Sequence, residues 1–369
     1  MRTPMSNRAN SYNLLALACL ALPIYAAQPL GIFEDHTDVG TVLHPGSVEY
    51  DASKQTYTIA GSGENMWFGT DAFQFAWKKV SGDVTLSADI SFIGAGHEGH
   101  RKAVLMIRQS LDADSPYADV ARHGDGLTSL QARDEKGVNT TEVQSAGKAP
   151  ARVRIAKRGD SFYIWLAGEG EQLRFSGGSM RVPMHEPFYI GLGVCSHNKD
   201  TVEKAVFSNV ELTHGAPAGA AAPKLYSTLE IVPVSGDRRV VYVTPGRISA
   251  PSWTADGASL LFHRDGHIEQ IQATGGSPQV TTMSDTKATE EQSPFSHTSP
   301  DGQQTVSLSY GSGITGVPED KDVTINVLSV KDGKTRVLAK LVGGKGTMDA
   351  PNWSPDSRRL TFVSYQWIQ

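Results

Sequence analysis

The residues best suited to chemistry in this chain are Arg108, Asp119, His123, Gln131, Arg133, Tyr189 and His197, with Trp67 in the segment GENMWFGTD. Guanidinium, carboxylate and amide groups offer paired donors and acceptors, and an indole offers an apolar platform, a combination suited to a sugar or another small polar ligand. These side chains share a face only if their segments are β-strands, where residues two apart point the same way. In Lys102 to Gln109, burying Leu105 and Ile107 leaves Met106 and Arg108 on the opposite side. Burying Val120 leaves Tyr117, Asp119 and His123 outside, and burying Leu130 leaves Ser129, Gln131 and Arg133. Burying Phe188, Ile190, Leu192 and Val194 turns Tyr189, Gly191, Gly193, Cys195 and His197 the other way. The expectation is a concave groove in which the two glycines leave room for a ligand near the backbone. A structural reading stands beside it: an outward sheet face is polar in any case, Arg108 and Asp119 can pair, and Trp67 can fill a core.

Catalytic signals are sparse. No G-x-S-x-G elbow is present, so a serine hydrolase is not indicated. His97-Glu98-Gly99-His100 falls one residue short of H-E-x-x-H and lies in a glycine-rich turn, which argues against a helical zinc site. Asp112 and Asp114 with Ser115 read as a solvated turn before Pro116 rather than a calcium loop. Cys195 and His197 share a strand face, but the plainer reading is a buried free thiol. The deduced face holds Asp119 alone among carboxylates, whereas glycoside hydrolysis uses two, so ligand binding is expected and a carbohydrate-active enzyme is the alternative. No cofactor or metal is called for.

The positioning elements follow from alternation. Val84, Leu86, Ala88, Ile90 and Phe92 alternate with polar residues, a half-buried strand. Further strands are predicted at Ala103 to Gln109, Tyr117 to His123, Leu127 to Arg133, Ala151 to Lys157, Ser161 to Ala167, Phe188 to His197 and Ala205 to Leu212, with Gly124, Asp125 and Gly126 as a hairpin turn. Many short strands without helices predict an all-β chain with a two-sheet jelly-roll sandwich over residues 28–212. Residues 213–223, within THGAPAGAAAPK, have linker composition.

Residues 224–369 repeat one phrase. NWSPDSRRLTF ends the series, SWTADGASLLF begins it and HTSPDGQQTVSL lies between, with Asp256, Asp301 and Asp356 falling 45 and 55 positions apart. Each phrase is a turn feeding a strand, and a recurrence near this period is a propeller signature. The phrase W-S-P-D-G-x-x-L-x-F resembles the WD40-like repeat of TolB-type β-propellers, with Ala255 replacing the proline of the first copy and Ser357 the glycine of the third. That resemblance implies an envelope-associated protein-interaction propeller with no catalytic residues. The preceding domain is similar in strand order to concanavalin or laminin-G-like jelly rolls, which names no substrate. At roughly 40–45 residues per blade the tract holds about three blades, so a partial propeller with two exposed apolar faces is expected, and with it self-association. Polar Ser284 to Ser293 reads as the junction left by missing blades.

Residues 1–27 have Arg2 and Arg8, an apolar run from Leu14 to Leu22, then Ala26 and Ala27, the pattern of a cleaved signal peptide. Cys19 raises a lipoprotein reading, but the apolar run continues past it, so a periplasmic or secreted protein cleaved near Ala26 or Ala27 is expected. Removing two basic residues from 34, against 39 acidic, leaves 32 − 39, or about −7. Without a basic excess nucleic acid is not an expected partner, which leaves a glycan or small polar ligand and an envelope protein. Only Cys195 survives processing, so no internal disulfide forms.

Overall fold

The computed structural model describes residues 30–215, 222–281 and 296–368. The predicted signal peptide, most of the linker and Ser284 to Ser293 lie outside these residues. Every regular element described is a strand, and none of the sheets closes into a barrel.

In the N-terminal half two antiparallel sheets face each other. One places Val84–Ile93 between Arg152–Arg158 and Glu203–His214, with Ser161–Ala167 beyond the first and Thr56–Gly61 then Ser47–Asp51 beyond the second. The other runs Asp35–Val39, Phe73–Val80, Phe188–Cys195, Lys102–Arg108, Tyr117–His123, Thr128–Arg133, Thr141–Gln144. Leu86, Ile90, Ile155 and Phe207 of the first sheet meet Leu105, Ile107, Val120, Leu130, Ile190 and Leu192 of the second in one core. Each such side chain removed from water contributes roughly 1.5–3 kcal/mol.

The second sheet departs from simple alternation. All seven residues of Lys102–Arg108 and all six of Thr128–Arg133 are buried, because loops roof the side away from the core. Residues 62–72, 109–116 and 134–140 are stitched together by main-chain bonds: Asp71 N to Ala113 O (2.8 Å), Thr140 N to Trp67 O (2.8 Å) and Gly137 N to Asp114 O (2.9 Å). Under this roof Met66, Phe73, Phe75, Val104, Met106 and Tyr117 form a second apolar cluster.

The sheet does not stop at the sandwich. Arg238–Pro245 pairs in parallel with Thr141–Gln144, and is followed by Lys224–Pro233 and Arg359–Ile368. Lys340 Nζ to Asp134 (2.7 Å) and Arg238 Nη2 to the Ser179 carbonyl (2.5 Å) add contacts between the halves. Two four-stranded antiparallel sheets complete the chain: Ile248–Trp253, Ser259–Arg264, His267–Gln272, Gln279–Val280; and Ser296–Thr298, Gln304–Tyr310, Lys321–Ser329, Thr335–Gly343. They pack on opposite faces of the Lys224–Pro233 and Arg359–Ile368 pair. Val232, Leu360 and Phe362 join the core with Val306 and Ile325, whereas Leu229, Ile231, Val363 and Tyr365 join the core with Leu260 and Phe262.

The repeated phrase builds one turn three times. Thr254, Ser299 and Ser354 each donate a hydroxyl to Oδ1 of Asp256, Asp301 and Asp356, and that oxygen also accepts the backbone N–H two residues on, from Ala258, Gln303 and Arg358 (3.0–3.1 Å). Gly257 and Gly302 follow with φ of 68° and 69°, and Ser357 takes the same left-handed conformation at 59°. The free sides of these sheets are mixed: His263, Ser309, Thr324, Asn326 and Lys340 face outward at half-buried or exposed positions, Val306, Leu308, Val323 and Ile325 turn inward, and Val280, Leu328 and Val337 remain exposed. Period-2 alternation places most polar residues of the outermost sheets on their free side.

Candidate functional site

Strand register arranges the roofed face in rows. Tyr189, Arg108, Tyr117 and Arg133 form the first; Gly191, Met106, Asp119, Gln131 and Glu142 the second; Gly193, Val104, Ala121, Ser129 and Gln144 the third; Cys195, Lys102 and His123 the fourth.

The first row is complete within itself. Arg133 forks onto Asp71, Nη2 to Oδ1 at 2.7 Å and Nη1 to Oδ2 at 2.9 Å, and Arg108 Nη2 reaches Oδ2 at 3.4 Å. Their other donors go to loop carbonyls: Arg108 to Ser110 and Asp112 (2.6 Å each), and Arg133 to Val138 (2.9 Å) and Phe68. Fork geometry suits a carboxylate and a set of carbonyls at once. One ion cluster therefore pins all three roofing loops to the sheet.

The next rows hold unmet hydrogen-bonding capacity. Both carboxylate oxygens of Asp119, Oε1 of Gln131 and Oγ of Ser129 are buried without a partner. Burial pushes the Asp119 carboxyl well above the usual carboxylate range, with Lys102 as the main opposing influence. Lys102 itself is engaged, donating to Asn65 Oδ1 at 2.9 Å and to the Met66 carbonyl at 3.4 Å. Gln131 Nε2 donates to Glu142 Oε2 (3.2 Å) and to His123 Nε2 (3.4 Å). An acceptor at Nε2 leaves the His123 proton on Nδ1, which faces Nδ1 of His100 at 3.3 Å. Burial, then Lys102, lowers the His123 pKa to about 3, so its imidazole is neutral.

Trp67, His100 and His197 are the more accessible groups that border this region. Trp67 and His197 are half-buried and His100 is exposed. Lys102 Nζ lies 5.5 Å from the Trp67 ring centre, Asn65 Nδ2 donates to His197 Nε2 at 3.2 Å, and the His100 and His197 rings are 5.6 Å apart. His197 adopts φ of 59°, a conformation that costs a non-glycine residue about 1 kcal/mol or more.

The expected open groove is thus corrected. Arg108, Asp119, Gln131 and Arg133 do lie on one side of one sheet, opposite Leu105, Ile107, Val120 and Leu130, but under a roof. Arg108 and Arg133 are held by Asp71, not by a ligand. Tyr189 packs on the edge of Trp77 (5.2 Å) in the first row, away from His123. The glycines leave no room for a ligand: a Cβ on Gly191 would stand 2.9 Å from the Phe75 ring and one on Gly193 3.0 Å from the Phe73 ring. His123, Asp119, Gln131, His197 and Trp67 remain together.

Sequence reasoning missed Lys102, Asn65, Asp71 and Glu142 as participants, and placed Ser129 on this face without giving it a role. Glu142 matters most, because it puts a second carboxylate beside Asp119 where one was expected. Its strand, Thr141–Gln144, is four residues long, and the alternation of Glu142 and Gln144 about buried Val143 was its only signal. Asp112 and Asp114 both pair with Lys136 (2.9 and 3.4 Å), as a turn would. Cys195 is buried, its thiol pushed up to about 11 by burial. Among the described residues no group of three His, Cys, Asp or Glu is placed to hold a metal ion.

No family model matches the chain. An uncharacterised protein of Agrobacterium fabrum is 31% identical over 122 residues, covering 32% of this chain and 41% of that protein, so the chain spans about two fifths of that relative's length. Solved structures to which the chain shows some likeness include a candidate TolB from Agrobacterium tumefaciens (16% identity, 73% of this chain and 100% of that one, TM-score 0.19). Others are alginate lyase A1-II′ of polysaccharide lyase family 7 (8%, 46% and 83%, 0.33) and domains LG4-5 of the mouse laminin α1 chain (14%, 92% and 92%, 0.25). Likeness at these scores says nothing about ligand or activity.

Proposed function

We propose that this is an exported, non-enzymatic binding protein whose sandwich takes a hydroxyl-rich ligand, a glycan by preference, under the loop roof. The observation that carries the reading is the convergence of orphaned acceptors at Asp119, Gln131 and Ser129. A buried polar atom without a partner costs about 1–3 kcal/mol, more if charged, and a ligand hydroxyl removes that cost. Trp67 at the border supplies the apolar face that a sugar ring stacks on. The three C-terminal sheets are, in this proposal, TolB-like propeller blades that meet an envelope protein. Export rests on the character of residues 1–27, and a mature N-terminus near Ala26 or Ala27, read by mass spectrometry, is the corresponding outcome.

The direct test is a glycan array probed with the full chain, alongside Asp119→Asn and Trp67→Ala. Retention of a glycan by the parent and its loss in both variants is expected; no retention of any glycan defeats the reading. One observation favours a second reading, a glycoside-cleaving enzyme: Glu142 lies two strands from Asp119 on the same side of the sheet. With strands about 4.8 Å apart their backbones stand about 10 Å apart, compatible with an inverting pair separated by about 6.5–9.5 Å at the carboxyls. Reducing sugar released from a bound glycan, and lost with either Asp119→Asn or Glu142→Gln, would establish cleavage.

A further inference from the structure

Resting on the binding reading above, we infer that the site recognises the end of a glycan chain, by a vicinal pair of hydroxyls seated on the two oxygens of Asp119. Two features lead to this. The first is stoichiometric: both Asp119 oxygens lack partners, and a carboxyl group with both oxygens open matches two hydroxyls on adjacent ring carbons, one hydrogen bond at each oxygen. Gln131 Oε1 and Ser129 Oγ, also open, lie in the same and the next row and accept from a neighbouring hydroxyl.

The second feature is access. Asp119, Gln131 and Ser129 have no exposed surface, whereas Trp67 and His197 are half-buried and His100 is exposed. A chain lying across the face would need the roof removed, yet the Asp71 cluster fixes 62–72, 109–116 and 134–140 to the sheet. Entry past Trp67, His100 and His197 with the remaining sugar units trailing outward leaves the roof bonded. Internal units of a 1,3-linked chain have no vicinal diol, so for such chains only a terminal unit satisfies Asp119.

The test uses the full chain and whichever array glycans it retains, together with a ladder of 1,3-linked glucose and galactose oligosaccharides. Titration calorimetry across chain lengths should give one site per chain end and an affinity that changes less than about threefold as units are added. Mild periodate, which cleaves vicinal diols and in the 1,3-linked series touches only terminal units, should weaken binding by at least about tenfold. Asp119→Asn should bind untreated chains no more tightly than the parent binds periodate-treated ones. Affinity that climbs with every added unit, or binding that survives periodate, overturns end recognition while leaving the binding reading intact. A chain that retains no glycan overturns both.

Discussion

Asp71 and Asp119 are both aspartates buried under one roof, against one sheet, and they end in opposite conditions. Asp71 receives two guanidiniums; Asp119 receives nothing. The lesson is that burial alone does not mark a functional carboxylate, because the more elaborately bonded of the two is architecture and the incompletely bonded one is where we propose a ligand. The repeat aspartates make a third case: Asp256, Asp301 and Asp356 are exposed, locally bonded and held below their usual pKa by the neighbouring Thr or Ser hydroxyl.

The comparison breaks most readily at Asp71. Asp71→Ala leaves Arg108 and Arg133 buried without their counter-charge, a lesion of about 3–5 kcal/mol, so chemical denaturation should show the sandwich unfolding at much lower denaturant. A loss under about 1 kcal/mol would mean that the cluster does not hold the roof.

Asp119→Asn should behave in the opposite way, costing no stability at neutral pH and raising it by up to about 1 kcal/mol, since no bond is lost and the buried group can no longer ionise. Its sign with pH is specific. The folded pKa of Asp119 is raised, so between the unfolded and folded values the folded state holds a proton that the unfolded state has released. Its contribution is fully present below the unfolded value near 4 and is lost as pH rises through the folded value. Subtracting the Asp119→Asn stability profile from that of the parent should therefore give a curve that falls with rising pH; a rising or flat difference would place Asp119 in an ordinary ion pair.

His123 sharpens the same contrast from the other side. Its folded pKa of about 3 lies below the unfolded value near 6.5, so the unfolded state takes the extra proton and stability drops as pH falls through that interval. His123→Gln should flatten that acid limb by about 1–3 kcal/mol, read by denaturation at a series of pH values. Smallest are the effects in the repeats. Asp356→Ala should cost about 0.5–1 kcal/mol for lost turn hydrogen bonds, and Ser357→Gly should change stability by less than about 1 kcal/mol, because relief of a left-handed serine is opposed by loss of the hydroxyl that accepts the Asp301 N–H. A large loss at Asp356 would show that the repeat turns share the global role of Asp71.

Much of this was legible in residue order. Alternation placed Arg108, Asp119, Gln131 and Arg133 opposite Leu105, Ile107, Val120 and Leu130, and the strands at Tyr117–His123 and Ser161–Ala167 came out at their observed limits. The thrice-written turn was equally plain. These are local properties: a strand's period is two whatever lies around it, and an aspartate's bond to the backbone two residues on needs no distant partner. What covers a sheet face is of another kind. The Arg133 bond to Asp71 spans 62 positions, the roof is loop without period, and the space at Gly191 and Gly193 is claimed by phenylalanines from another strand. Which polar side chains would be satisfied, and which left without a partner, therefore depended on contacts between segments far apart in the chain, and only the folded arrangement decided it.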